Sequence, residues 1–319
     1  MVLSIGEILV DIFIDGDNKT AFPGGAPFNV AANIAHFNNK EAAFFGAVGN
    51  DEYGRFLEEF GKEKVNHLHL DKSAIYHTTE AIVTLVDGER SFRFNRDSGA
   101  DYHLSISKLK EIDLTSIKYV HIGSLMLSFE EGRKFFNEAV NYFKGFKDIK
   151  LSFDVNYRDD IFTSEEEAKK VFLDALKKFD VIKFTSEELE LLTGKKNIKE
   201  SLDSLLNKNQ MAVVTLGKDG SVFYFNDKYI QVGTYQMKPV DTTGAGDAFY
   251  SYFLYELDKG LDTNNDEAVK KALLKANIVG GLSTQKKGAI GVVPSLLELQ
   301  EFLTKLNKWQ SGGEISTTF

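Results

Sequence analysis

Residues 241–247, Asp241-Thr242-Thr243-Gly244-Ala245-Gly246-Asp247, carry the most pointed chemistry in the chain. Gly244 and Gly246 flank Ala245, and an amphipathic run follows at once from Ala248. Glycines there let the backbone turn tightly and approach a ligand with no Cβ in the way. A helix starting at that point presents free N–H groups and the positive end of its dipole. Together these make an anion hole suited to charge developing on a transferred phosphoryl group. Asp247 then falls in the first helical turn, placed to take a proton from an attacking hydroxyl. By spacing alone, Asp247 serves equally well as a plain complement to the helix dipole.

A second polar group lies near the start, at Asp11 and at Gly24-Gly25-Ala26-Pro27-Phe28-Asn29. Asp11 ends an apolar run read as a first strand, at the carboxyl edge where open α/β sheets place ligands. Its carboxylate can accept hydrogen bonds from two hydroxyls, and Asn29 can both donate and accept. Gly24 and Gly25 permit close backbone contact. The alternatives are a helix cap at Asn29 and a turn at Asp11.

Short apolar runs alternate with longer amphipathic segments, as a βαβ series on a mostly parallel sheet requires. The spacing predicts strands over 2–10, 42–48, 119–122, 150–155, 181–184 and 212–216. It predicts helices over 52–61, 130–143, 164–179, 246–257, 266–283 and 295–307, with Ser164 and Ser295 opening capping boxes. Residues 78–96 break the rhythm, reading as two alternating strands joined at Asp87-Gly88. With residues 12–22 (and to 98 at its far end) this hairpin is expected to form a small β lid on a single α/β domain over 1–310, and residues 311–319 a disordered tail. The other reading is an antiparallel extension of the main sheet.

Bulk composition narrows the classes. The 319 residues are 43% hydrophobic, enough for a large core. A net charge of −9 argues against a general nucleic-acid binder, and the absence of cysteine excludes thiolate metal sites and nucleophiles. No signal peptide or apolar span is read, so the expectation is a cytoplasmic protein. No Walker-type phosphate loop, protein-kinase set or dinucleotide fingerprint is found.

The 241–247 run with Ala248 and Phe249 resembles the C-terminal signature of the ribokinase-like (PfkB) carbohydrate kinases, whose final Asp is the catalytic base. Gly24-Gly25-Ala26-Pro27-Phe28-Asn29 is similar to that family's Gly-Gly-x-x-x-Asn sugar motif, and Gly6-Glu7-Ile8-Leu9-Val10-Asp11 to its first strand. The resemblance covers nearly the whole chain. It implies a three-layer α/β/α fold, ATP and Mg²⁺ as cofactors, and a sugar held by Asp11, Gly24, Gly25 and Asn29. Within the family, Arg90-Ser91-Phe92-Arg93-Phe94-Asn95-Arg96 and Asp154-x-Asn156-x-Arg158 resemble fructokinases. That implies Phe94, Arg96 and Arg158 closing around the sugar, while Gly244, Ala245, Gly246 and Asp247 carry the transfer.

For the nucleotide, Thr215, Gly217 and Gly220 resemble the strand and turn beside ATP, and Asn277 and Gly288 resemble segments lining the adenine pocket. Thr185-Ser186-Glu187-Glu188 matches the family's Asn-x-x-Glu in part, with Thr185 in place of Asn. Glu188 then acts on Mg²⁺ indirectly, or else closes a capping box. Asp241 and Thr243 resemble the monovalent-cation site of some relatives, which would take K⁺. Tyr252 stands where the family has a small residue, and is expected to repack helix against sheet. Relatives often pair through the lid, so a homodimer is expected. Acceptors kept open are fructose, 2-keto-3-deoxygluconate and ribose or a nucleoside; a non-catalytic sugar or nucleotide sensor is the reading from another class.

Overall fold

The computed structural model describes residues 1–15, 18–86 and 89–310. Its strands are β1 (Val2–Ile5), β2 (Leu9–Asp15), β3 (Asn18–Gly24), β4 (Ala43–Gly49), β5 (His67–Ser73), β6 (Glu80–Val86), β7 (Glu89–Asn95), β8 (Tyr119–Ile122), β9 (Lys150–Asp154), β10 (Val181–Thr185), β11 (Met211–Thr215), β12 (Ser221–Phe225) and β13 (Lys228–Val232). Its helices are α1 (Ala26–Phe37), α2 (Glu52–Lys64), α3 (Ile106–Leu109), α4 (Glu130–Phe143), α5 (Glu165–Leu176), α6 (Ser186–Thr193), α7 (Ile198–Leu205), α8 (Ala245–Asp258), α9 (Asp266–Ser283) and α10 (Leu296–Gln310).

Nine strands form the large sheet in the order β13-β12-β11-β10-β9-β8-β1-β4-β5. From β11 to β5 all neighbours are parallel, and β12 and β13 add an antiparallel edge. Apart from the partly exposed edge strand β5, the parallel strands are buried on both faces, which is why they read as largely apolar runs. Alternate side chains feed two cores. Leu3, Ile5 and Phe45 meet Phe136 of α4, Phe172 of α5 and Leu189 of α6 on one face. Val2, Phe44 and Val213 meet Phe28 of α1, Phe253 of α8 and Leu273 of α9 on the other. The result is a three-layer α/β/α fold.

One predicted strand is corrected. Residues 2–10 do not run as one: the chain leaves the large sheet after Ile5 and restarts at Leu9 in a second, four-stranded sheet ordered β3-β2-β6-β7. The pattern hides the break because Ile8 and Val10, like Leu3 and Ile5, are fully buried. Asp11 therefore lies within β2, paired in register with Phe22 and Ala81, not at the end of a main-sheet strand. The hairpin pairs Val86 with Glu89, while Asp87 and Gly88 lie outside the described residues, as do 311–319.

Tyr252 is also placed differently from expectation. Its ring meets Phe37 of α1 edge-on at 5.2 Å, so it fills the seam between α1 and α8 instead of facing the sheet. Its hydroxyl donates to Glu256 Oε1 at 2.8 Å.

Arg96, expected to close over a ligand, is enclosed where the smaller sheet rejoins the body, and is 4% exposed. Its Nη2 donates to Asp101 Oδ2 at 2.5 Å and its Nη1 to Ser128 Oγ at 2.8 Å. The guanidinium sits over the rings of Tyr102 and Phe129, 5.5 and 5.1 Å from their centroids. A buried guanidinium needs such partners, and this set leaves it braced inside the joint. Arg96→Met should strand the Asp101 charge and cost about 3–5 kcal/mol of stability. Arg96→Met with Asp101→Leu should recover much of that loss in thermal unfolding; equal melting of single variant and wild type would contradict the brace.

Candidate active site

Helix α8 starts the way the glycine spacing demands. Gly244, its N-cap, has φ 73°, and a Cβ there would sit 2.6 Å from the Ala289 Cβ. No side chain among the described residues caps this end; the Ala245 N–H is taken by the Thr242 carbonyl at 3.2 Å, which leaves the N–H groups of Gly244 and Gly246 for a ligand. Gly244, Gly246 and Asp247 line a cavity of about 960 Å³, together with Arg158, Lys183 and Glu188. That size suits a small-molecule site.

Helix α1 brings the N-terminal motif to the same place. Its N-cap Gly25 has φ 105°, and a Cβ would lie 2.4 Å from the Glu7 carbonyl oxygen. Pro27 in the first turn is the signal by which sequence inspection could have found this helix. Asn29 sits within the helix and does not cap it. Its Nδ2 donates to Asp247 Oδ2 at 2.7 Å, across 218 residues of chain, while its Oδ1 is buried with no partner among the described residues. Gly24 leaves room for Asp11: a Cβ there would be 2.3 Å from Asp11 Oδ2.

The acids of the site are held away from their ordinary state. Burial raises the Asp247 carboxyl above the usual carboxylate range, opposed by the Asn29 bond and by the charges of Lys183 and Arg158. Burial likewise pushes Asp11 up to about 7, against the pull of Arg158 and with a further push from Asp247 and Asp241. Arg158 is exposed on the loop after β9. Half-buried Phe94 packs beside Leu9, Ala81 and Leu125.

Glu188 closes the capping box with Thr185, and its Oε1 accepts the Tyr157 N–H at 2.9 Å. Both carboxylate oxygens thus serve backbone donors, and through Tyr157 they tether the loop that carries Arg158. Asp241 Oδ1 accepts from the Thr243 N–H and hydroxyl, and its Oδ2 from the Gly288 N–H at 3.0 Å, so these three residues do converge. Thr215 pairs in register with Thr185 at the sheet edge, next to the turn at Gly217 and Gly220. Asn277 does not line the cavity; its amide is spent on the carbonyls of Val232 and Gly233. No group of three or more acidic or histidine side chains able to hold a metal occurs among the described residues. Nor is any described helix long and apolar enough to cross a membrane.

Lys183 escaped the sequence inspection, read as one more residue of a strand. Its Nζ lies 2.9 and 3.0 Å from the two oxygens of Asp154, and both side chains are buried. A charge inside an otherwise apolar parallel strand was the available signal.

The chain is similar over nearly its whole length to known sugar kinases. A probable fructokinase-2 of Arabidopsis thaliana is 37% identical over 319 residues, covering 95% of each chain. The crystal structure of fructokinase from Vibrio cholerae O395, in its fructose, ADP and calcium ion bound form, superposes with a TM-score of 0.84 at 35% identity, covering 95% of this chain and 98% of that one. Fructokinase from Xylella fastidiosa with bound ATP gives a TM-score of 0.86 at 25% identity over 96% of this chain and 98% of that one. The model of the pfkB family carbohydrate kinases matches residues 2–296, and the chain belongs to that family.

Proposed function

We propose that this protein is an ATP-dependent fructokinase, moving the γ-phosphoryl group to the O6 hydroxyl of D-fructose. The observation that carries this reading is the Asn29–Asp247 hydrogen bond, which puts a sugar-type donor and acceptor against the base at the open start of α8. Asp11, Gly24, Gly25 and Asn29 hold the sugar hydroxyls, and Arg158 approaches from the rim. Asp247 takes the hydroxyl proton as the oxygen attacks phosphorus. The backbone N–H groups of Gly244 and Gly246 receive the charge on the phosphoryl oxygens, while the Ala245 N–H, donated to the Thr242 carbonyl at 3.2 Å, shapes the turn between them. Phe94 stands on the smaller sheet, the lid of this reading, whose closure excludes water and limits ATP hydrolysis.

Mg²⁺ fits as an ion carried mainly by the nucleotide phosphates, with Glu188 acting only through water, since its oxygens are taken by backbone donors. When bound it would neutralise charge on the phosphates. The Asp241–Thr243–Gly288 cluster is where K⁺ would act. The chain of 1–310 works as one catalytic unit in the cytoplasm, with pairing of two copies through the smaller sheet supported by Phe22, 45% exposed on β3.

Turnover of ATP with fructose should exceed that with ribose, glucose, adenosine or 2-keto-3-deoxygluconate. Preference for the sugar acid would make Arg158 its carboxylate partner instead, and sugar binding without any turnover would leave a sensor. Asp247→Asn should lower kcat by ~10²–10⁴-fold with sugar binding retained; near wild-type turnover would remove Asp247 from the base role. A pH profile tests Asp11 separately. With the free-enzyme carboxyl at about 7, protonation below that pH takes away an acceptor for the sugar hydroxyls. kcat/KM for fructose should therefore fall as pH drops through about 7, while Asp11→Asn lowers kcat/KM throughout and removes that inflection.

A further inference from the structure

The site has an unusual charge balance for one that takes a polyphosphate. Asp11, Asp154, Glu188 and Asp247 are all buried or nearly so, against only Lys183 and Arg158. Arg158 is at the exposed rim. Lys183 is the buried cation, and it lies under the glycine turn: a Cβ on Gly246 would be 3.4 Å from its Nζ. Two of the three ammonium donors meet Asp154 Oδ1 and Oδ2, which leaves one for a ligand in the cavity that Lys183 lines. Burial works against its charge, but Asp154, Glu188 and Asp247 outweigh that and hold the amine up to about 12, so it stays an ammonium.

We propose that Lys183 is a catalytic residue, donating from its ammonium to a non-bridging oxygen of the phosphoryl group in flight. This rests on the kinase reading above. A bond forms between the sugar oxygen and the γ-phosphorus while the β–γ bridging bond breaks. The electron pair leaves with ADP and the hydroxyl proton goes to Asp247. Lys183 keeps its proton throughout and adds a full positive charge beneath backbone dipoles that supply only partial ones. Asp154 aims the ammonium and keeps it charged between turnovers. A buried pair that only braced β9 against β10 would not need to open onto the cavity, and replacing it by neutral groups would be nearly neutral for stability.

The test is Lys183→Met combined with Asp154→Asn, which removes both charges and leaves neither stranded. The folded double variant should keep fructose and ADP affinity within about 3-fold but lose ~10²–10³ in kcat, the loss typical for one transition-state donor. It should also lose the extra inhibition that aluminium fluoride adds to ADP, Mg²⁺ and fructose in the wild type. Wild-type kcat, or intact aluminium fluoride inhibition, in the folded variant would overturn the assignment. Should the variant not fold, the wild-type protein with ¹⁵N-labelled lysine decides. The buried Nζ resonance, identified as the one missing from Lys183→Arg, should shift on adding ADP, Mg²⁺, aluminium fluoride and fructose together but not with fructose alone. An unmoved resonance overturns the assignment. Wild-type turnover is measured first: its absence with every sugar sinks the kinase reading, whereas full turnover in the variant sinks only the role of Lys183.

Discussion

The hydrogen bond from Asn29 to Asp247 is the constraint around which the site is organised, because it can form only where two helix N-termini converge. Helices α1 and α8 both begin at a glycine with positive φ, and neither has a side-chain cap. Pro27 has no N–H and the Ala245 N–H is taken by the Thr242 carbonyl, but both helices start at the same edge of the sheet, and the positive ends of two dipoles point at one place. Packing farther along sets the distance between them. Phe28 and Phe249 are in one core, and Tyr252 wedges against Phe37 at the other end of the seam. A helix shifted by one residue in that seam would turn Asn29 away from Asp247.

Burial does two things to the acids gathered there. It raises the Asp247 carboxyl and pushes Asp11 up to about 7, where a carboxyl can exchange a proton near neutrality. It also makes every uncompensated negative charge expensive, so cations or donors must be built in beside them. Asn29 supplies a neutral donor to Asp247, Lys183 a full charge to Asp154, and backbone N–H groups satisfy Glu188. Glu7, next to the joint of the two sheets, shows the limit of this arrangement. Its Oε2 has no partner among the described residues, and burial pushes the carboxyl up to about 8.

What was legible in the sequence follows from the range of the forces involved. Local devices could be read directly: the glycine turn before α8, the Ser164 cap of α5 and the Thr185–Glu188 capping box. Strand β5 at the edge, half-exposed and polar, was not read, whereas the parallel strands covered on both faces were legible because they are largely apolar. The same uniformity concealed the break between β1 and β2, since nothing in a buried run tells which sheet buries it. Arg96 was misplaced for a related reason. Alternation along β7 separates two faces of a strand, but Asp101, Ser128 and Phe129 reach Arg96 only after the chain has folded back. Lys183 carried a signal, a charge in an apolar strand, but not its meaning, because its partner Asp154 lies on the neighbouring strand, 29 residues away.

The division of labour between the two sheets explains why the chemistry could be read more sharply than the acceptor. In the proposed reading phosphoryl transfer depends on one helix start and its immediate neighbours, all on the large sheet and its helices, and a seven-residue run specifies most of it. On the same proposed reading the acceptor instead depends on Asp11 and Phe94, which belong to β2 and to β7 of the smaller sheet and meet the large one through the break after Ile5 and the Arg96–Asp101 joint. Small changes in how that sheet sits would alter which hydroxyl reaches Asp247 without touching the glycine turn. A motif at α8 thus points to the reaction, whereas the runs at 90–96 and 154–158 point to the kind of sugar only by resemblance, and the contacts that would select it form only when the two sheets meet.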